Sequence, residues 1–93
     1  MRYAAKVDEP HKSVVDALRR CGCQVISLAA LGKGVPDLLV RLPRKGLSDL
    51  WLLEVKGHRG RLTEDQKRFH ALWPEVLIVH SPEEALRALG LTR

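Results

Sequence analysis

The sequence predicts an α/β fold with the element order α-β-β-β-α-β-α. Three segments carry apolar residues at helical spacing near capping residues, and four short apolar runs have the composition of strands. A chain of 93 residues buries roughly two-thirds of the surface that its unfolded form exposes, which is enough for one core. We therefore expect a single domain over residues 1–93.

Composition and charge exclude several classes of protein. With 45% hydrophobic and 29% charged residues, the chain has the balance of a globular protein, and none of its apolar runs approaches the ~20 residues that span a bilayer. Cys21 and Cys23 lack a second cysteine pair, so we expect reduced thiols rather than a disulfide framework or a four-ligand zinc site. No apolar signal core follows Met1, which favours a cytoplasmic location. The net charge of +5 favours a polyanionic partner such as nucleic acid.

The first helix is predicted over residues 11–21, where apolar residues recur at helical spacing. Pro10 suits the first turn of this helix and Gly22 suits its C-terminal end. A strand is predicted over residues 23–31, and the glycine-rich residues 32–34 form a loop after it.

Two further strands are predicted over residues 37–42 and 50–56, because both runs are apolar and the second has strong β character. Residues 43–48 have the composition of a turn, so the two strands should form a hairpin. With Lys45 and Gly46 as a two-residue turn, the numbers of opposed residues sum to 91. A bulge or a longer turn would shift this register by one residue.

The C-terminal third of the chain is predicted to add a helix, a strand and a helix. The first of these helices runs over about residues 62–73, and Thr63 and Gln66 form a capping box at its start. Residues 76–79 read as a buried strand. Ser81 is the N-cap of the last helix, which ends before Gly90.

Charged residues interrupt the two strands of the hairpin. Asp37 follows Pro36, and Glu54 and Lys56 flank Val55, although an ionised group removed from water costs several kcal/mol unless it is paired or bound to a metal. The predicted register places Asp37 opposite Glu54, with Cβ atoms about 5 Å apart. Two carboxylates this close raise each other's pKa unless a divalent cation replaces their protons. A hard cation that prefers oxygen ligands, Mg²⁺ or Mn²⁺, suits such a pair.

These residues give the chain a resemblance to the PD-(D/E)xK nuclease superfamily. The segments that carry the resemblance are Gly34-Val35-Pro36-Asp37, Leu53-Glu54-Val55-Lys56, Leu62-Thr63-x-x-Gln66 and Ser81-Pro82-Glu83-Glu84-Ala85-Leu86. Within that superfamily, the chain is similar over almost its whole length to the small stand-alone VRR-NUC nucleases of phages and bacteria. The resemblance implies a restriction-endonuclease-like core, in which helices flank a mixed four-stranded sheet.

The activity that the resemblance implies is metal-dependent hydrolysis of DNA phosphodiester bonds by an endonuclease in a bacterial or phage-infected cell. A domain this small has few elements for reading sequence, so branched, flapped or Holliday-junction-like DNA is the expected substrate. The alternative is a non-catalytic nucleic-acid-binding module that retains the fold.

The resemblance also assigns roles to individual residues. Asp37 and Glu54 would ligate the cation together with the backbone carbonyl of Val55. Lys56 would position or deprotonate the attacking water and help to neutralise the phosphate. Gln66 would support Lys56, the water or a phosphate. This set suits phosphodiester hydrolysis, because a metal ion acidifies bound water and an ammonium group offsets charge in the transition state.

One position departs from the pattern of the family. Relatives usually carry an acidic residue on the first helix, and Ser13 occupies the position that aligns with it. Glu9 and Asp8 lie upstream, and Glu9 is the candidate to replace the missing metal ligand. If neither acid reaches the site, a one-metal mechanism or a low intrinsic activity is expected.

Basic side chains flank the proposed site in sequence and are candidates for phosphate contacts, which would make DNA affinity strongly dependent on salt. About half of such side chains are expected to be solvated surface only. The candidates are Lys33, Arg44, Lys45, His58, Arg59, Arg61 and Lys67.

Several of these residues also have purely structural interpretations. Asp37 could cap a turn, Glu54 and Lys56 could lie on an exposed strand face, and capping explains Gln66 almost as well as catalysis does. The histidines show no paired metal spacing. The aromatic residues Trp51, Phe69 and Trp73 fall on apolar periodicities and are expected in the core rather than as platforms for base stacking.

The oligomeric state follows from the number of strands to be cut. One site per protomer cuts one strand, so cleavage of a duplex or a symmetric junction requires two sites related by a two-fold axis. A homodimer is therefore expected.

Overall fold

The computed structural model describes residues 9–42 and 49–92. Its elements are α1 (Glu9–Arg20), β1 (Gln24–Ser27), a 3₁₀ turn (Ala29–Leu31), β2 (Leu38–Arg41), β3 (Leu50–Val55), α2 (Glu64–Leu72), β4 (Leu77–Val79) and α3 (Pro82–Ala88). The predicted order of helices and strands is confirmed. Within the described ranges, no helix combines the length and apolar character needed to cross a membrane.

The four strands form one mixed sheet in the order β1-β2-β3-β4. The first two pairings are antiparallel, and β3 pairs with β4 in parallel. Leu38 lies opposite Leu53, which confirms the predicted register of β2 and β3. The same register continues to the far end of the hairpin, where the Leu42 amide donates to the Asp49 carbonyl at 3.1 Å. The predicted turn over residues 43–48 lies outside the described residues.

Helices α1 and α3 pack against each other and against one face of the sheet. In α1 the buried residues Val14, Ala17 and Leu18 recur at the spacing of one helical face. Burial of a side chain such as Val14 or Leu18 contributes roughly 1.5–3 kcal/mol before the cost of ordering the chain. The core also contains Val25, Leu38, Val40, Leu42, Leu53, Val79, Ala85 and Leu89.

The opposite face of the sheet is only partly covered, and we call it the open face. Ile26, Leu39 and Leu52 form a row across three strands on this face, and Ile26 is 57% exposed. Glu54 points to the same face as Leu52, because alternate strand residues share a side. Helix α2 lies at this face without burying any of its own residues.

The first strand is shorter than predicted. It ends at Ser27, and Ala29–Leu31 forms a 3₁₀ turn where the sequence predicted more strand. The Leu28 amide still pairs with the Asp37 carbonyl at 2.7 Å. The next hydrogen-bonded pair of the ladder would need the Val35 amide, which donates to the Gly32 carbonyl at 3.1 Å instead. The Ala29 amide donates to the Ser27 hydroxyl at the start of the 3₁₀ turn.

The prediction of three core aromatics is wrong for Trp73. Trp51 packs against the core, whereas Trp73 is 49% exposed. Trp73 stacks on Phe69 with ring centroids 5.4 Å apart, because α2 lies at the margin of the sheet and its aromatic residues cover each other. The last strand also differs, since Ile78 is 40% exposed on the open face rather than buried.

Candidate active site

A tight turn before β2 brings the loop of the site against helix α2. The Val35 amide donates to the Gly32 carbonyl at 3.1 Å, and the central residues Lys33 and Gly34 have φ angles of 57° and 82°, as in a type I′ turn. A Cβ atom on Gly34 would lie 2.3 Å from the Asp65 carbonyl oxygen. Only glycine therefore allows this contact, which fixes the entry to β2 and the first turn of α2 against each other.

Asp37 follows this turn after Pro36, and its side chain links the start of β2 to the end of β3. Its Oδ2 accepts a hydrogen bond from the Val55 amide at 2.8 Å. The β2–β3 ladder ends at the pair Leu38 and Leu53, so the Asp37 side chain serves as the partner of this amide beyond the ladder. One carboxylate oxygen is thereby fixed at the carboxyl end of β3.

Among the described residues, Glu54 is the ionisable side chain that the fold buries, with an exposed fraction of 1%. Its Oε2 accepts a hydrogen bond from Gln66 Nε2 at 3.2 Å, while its Oε1 has no hydrogen-bond partner. Burial raises the pKa of Glu54 to about 8. The neighbouring Asp37 carboxyl acts in the same direction through a hydrogen bond and through its charge, whereas the Lys56 charge opposes the rise. Burial beside Asp37 therefore favours the protonated form of Glu54 when no cation is bound.

Gln66 connects the start of α2 to this carboxyl group. Its Oε1 accepts from the Thr63 amide at 2.9 Å and its own amide donates to Thr63 Oγ1 at 3.1 Å, which confirms the predicted capping box. The remaining Nε2 group donates to Glu54. One side-chain amide thus caps the helix and orients the carboxylate, so the structural and functional interpretations of Gln66 are compatible.

Lys56 acts on two neighbours through its charge. It opposes the rise in the pKa of Glu54, and it adds to the effect of burial in lowering the pKa of His70. The Lys56 side chain passes the loop after β3, since its Cδ lies 3.2 Å from the place of a Cβ on Gly60. The structure thus brings Asp37, Glu54, Lys56 and Gln66 together.

The sequence did not single out His70, which the structure places beside Glu54. His70 Nε2 lies 4.0 Å from Glu54 Oε1, and the His70 side chain is 15% exposed. The signal in the sequence was its position four residues after Gln66, which puts both side chains on one face of α2.

The described basic candidates are all exposed. They are Lys33, His58, Arg59, Arg61 and Lys67. Lys67 forms an exposed ion pair with Glu64 at 3.3 Å, and the His58 ring stacks on His80 with centroids 6.3 Å apart. Arg44 and Lys45 lie outside the described residues, as do Asp8 and the side chain of Glu9.

Residues 9–42 and 49–92 contain no group of three or more His, Cys, Asp or Glu side chains arranged to hold a metal ion. The carboxylate pair of Asp37 and Glu54 is the acidic part of the site. Its fit to a cation rests on two observations: Glu54 Oε1 is buried without a partner, and the charge of Asp37 disfavours ionisation of Glu54.

The fold and the site define a protein of the PD-(D/E)xK nuclease type. The model of the VRR-NUC domain family matches residues 6–73. A solved structure described as a VRR_NUC domain is similar with a TM-score of 0.72 at 26% identity, over 95% of this chain and 98% of that one. No curated protein gives a significant match. The chain belongs to the VRR-NUC family of nucleases.

Proposed function

We propose that this protein is a Mg²⁺- or Mn²⁺-dependent endonuclease that hydrolyses phosphodiester bonds in DNA. The observation that carries the proposal is the state of Glu54. Its carboxyl group is 1% exposed, adjoins Asp37 and has a pKa of about 8. A fold that makes a carboxylate this costly to ionise is well suited to exchange the proton for a divalent cation.

The proposed ligands are Asp37, Glu54 and the backbone carbonyl of Val55. Mg²⁺ is usually held by one or two carboxylates, while water and substrate phosphates complete its coordination, so a pair of acids without a third is a sufficient protein contribution. The cation would supply polarisation of the phosphate and acidification of water. Glu9 stays a candidate further ligand at the start of α1.

The chain's own residues orient the reaction. Gln66 holds one oxygen of Glu54, and the Val55 amide holds one oxygen of Asp37, so both acids are fixed before substrate arrives. In the proposed reaction, the Lys56 ammonium donates hydrogen bonds to the attacking water and to a phosphate oxygen. It thereby offsets the charge that accumulates on the phosphate in the transition state.

The proposed substrate is DNA, held through its phosphates by the exposed basic side chains around the site. Lys33 lies in the turn that packs on α2, and Arg59 and Arg61 belong to the loop that connects β3 to α2. Contacts of this kind carry affinity without sequence information. For this reason we propose that branched or flapped DNA, rather than a base sequence, is recognised.

We further propose a homodimer in the cytoplasm of a bacterial or phage-infected cell. Two sites related by a two-fold axis are needed to cut both strands of a symmetric substrate. The apolar row of Ile26, Leu39 and Leu52 on the open face supports the proposal of a second copy. The free thiols Cys21 and Cys23 suit a reducing compartment.

A non-catalytic DNA-binding module is the second candidate. It is favoured by one observation, the absence of a three-residue metal cluster among the described residues. A module of this kind would bind the same DNA through the same basic surface and leave it intact.

Two substitutions separate the candidates. Asp37→Ala and Lys56→Met should abolish cleavage of labelled DNA in Mn²⁺ while the folded variants still bind it. Lys12→Met is the matched control, because Lys12 is an exposed lysine on α1 that pairs with Asp16, and it should cleave as the wild type does. Equal cleavage by wild type and Lys56→Met would contradict the proposed role of Lys56, and wild-type protein that binds but never cuts would favour the module.

A further inference from the structure

Two buried polar atoms without hydrogen-bond partners face each other in the site. Glu54 Oε1 and His70 Nε2 are both buried without a hydrogen-bond partner among the described residues. The two atoms lie 4.0 Å apart. Buried polar groups are nearly always hydrogen-bonded in folded proteins, so each exception needs an explanation. Here one small movement would satisfy both atoms together.

Two different side chains of helix α2 lie near the two oxygens of Glu54. Gln66 and His70 are four residues apart on one face of the helix. Gln66 Nε2 already donates to Oε2, and His70 Nε2 lies 4.0 Å from Oε1. The helix thus places one side-chain nitrogen near each oxygen of the Glu54 carboxylate.

We propose that His70 is a positioning residue, whose Nε2–H group donates to Oε1 of ionised Glu54 and fixes this carboxylate for the cation. The proposal rests on the proposed function of the site. Imidazole Nε2 can act as a donor, because the neutral ring can carry its one proton on Nε2 and the protonated ring carries a proton on both nitrogens. Such partners of ligating carboxylates typically change metal affinity or activity by roughly 10–100-fold when they are removed.

This role explains how a site with two acids keeps its geometry. Asp37 is fixed by the Val55 amide, whereas Gln66 holds only the Oε2 atom of Glu54. A second donor holds the other oxygen as well. The geometry of the carboxylate is then set by α2, on the opposite side of the sheet from α1.

Substitutions test the donor. His70→Leu should lower the affinity for Mn²⁺, measured by calorimetry without DNA, by roughly 10-fold or more, and should lower kcat while the KM for DNA is unchanged. His70→Gln retains a donor near the Nε2 position and should recover most of both losses. His11→Leu is the matched control, because His11 Nε2 is also buried without a partner but lies on α1 in the cavity with Val15 and Arg19; it should bind Mn²⁺ as the wild type does.

Two outcomes of this experiment would overturn the role. Wild-type Mn²⁺ affinity in folded His70→Leu would show that no donor is needed. Equal losses in His70→Gln and His70→Leu would show that the losses do not come from a missing hydrogen-bond donor. If wild-type protein binds Mn²⁺ but cuts no DNA, the proposed nuclease function fails while the Mn²⁺ affinities still decide the role of His70.

A measurement on the wild type covers the case in which a variant does not fold. Long-range ¹H–¹⁵N spectra of the imidazoles, recorded with Mg²⁺, should identify His70 as the Nε2–H tautomer, with a proton shift that changes when Mg²⁺ is removed by EDTA. An unprotonated Nε2, or a signal that Mg²⁺ leaves unchanged, would overturn the proposal.

Discussion

At the scale of the single residue, Glu54 is buried in a place that disfavours its ionised form. Its ordinary pKa of 4.5 is raised to about 8 in the folded protein, so folding favours the protonated acid. The folded protein then holds a proton that the unfolded chain releases over the range between these two values. The free energy of unfolding of the metal-free protein should therefore fall as the pH rises from about 4.5 to about 8.

Glu54→Gln tests this linkage. Because glutamine does not titrate, the variant should lack the fall, and in EDTA it should be more stable than the wild type at pH 8 by on the order of a few kcal/mol. Urea unfolding at a series of pH values measures the difference. Mg²⁺ should restore the stability of the wild type at pH 8 without changing that of the variant. Parallel stability curves for the two proteins would contradict the raised pKa.

Lys33 is a second residue held in an unfavourable state, in this case an unfavourable backbone conformation. Its φ of 57° is uncommon for a side chain other than glycine, asparagine or aspartate. Lys33→Asn should raise the free energy of unfolding by up to about 1 kcal/mol, since asparagine tolerates this conformation. The same change removes a proposed phosphate contact, so DNA affinity without divalent cations should become less dependent on salt, with a slope lower by about one. An unchanged salt slope would exclude Lys33 from the DNA contact.

At the scale of the elements, the contact between the Gly34 turn and α2 holds the two halves of the site together. Gly34→Ala should destabilise the protein by more than about 2 kcal/mol and reduce cleavage, because its Cβ would collide with the Asp65 backbone. Gly90→Ala is the matched control. Gly90 has a φ of 74° but no atom within 4 Å of its Cβ position, so it measures the strain of a positive φ without a collision. Equal stability and activity of the two variants would contradict the packing role of Gly34.

Local chemistry explains which parts of these elements the sequence could predict. The capping box of α2 and the hairpin register depend on residues close together in the chain, and both are observed as predicted. The contact of Gly34 with α2 and the position of His70 depend on which face of a helix meets the sheet. The exposure of Trp73 depends on how much of the open face α2 covers. Local spacing of residues determines neither which helix face meets the sheet nor how much of the open face α2 covers, so these features could not be predicted from the sequence.

At the scale of the whole molecule, the open face has an apolar part that α2 leaves uncovered. A cavity of about 640 Å³ on this side is lined by Leu39, Leu50, Trp51, Leu52, Trp73 and Glu75. Exposed apolar surface of this kind commonly marks an interface. The proposed homodimer would use it.

Leu50→Glu should convert the dimer into monomers, because a carboxylate would have to be buried in an apolar interface. Light scattering after size-exclusion chromatography measures the change, and duplex cleavage should be reduced to nicking of one strand. Leu72→Glu is the control, since Leu72 is 80% exposed on α2 and does not line the cavity. A dimer that persists in Leu50→Glu, or a monomeric wild type, would contradict this interface.

We propose that Asp37, Glu54 and Lys56 form a metal-dependent nuclease site. Incubation of the wild-type protein with labelled linear, nicked, flapped and four-way-branched DNA in Mg²⁺, in Mn²⁺ and in EDTA tests this proposal. We expect cleavage with either cation, strongest on flapped or branched DNA, and none in EDTA. Cleavage that persists in EDTA, or intact DNA of every kind in Mn²⁺, would contradict it.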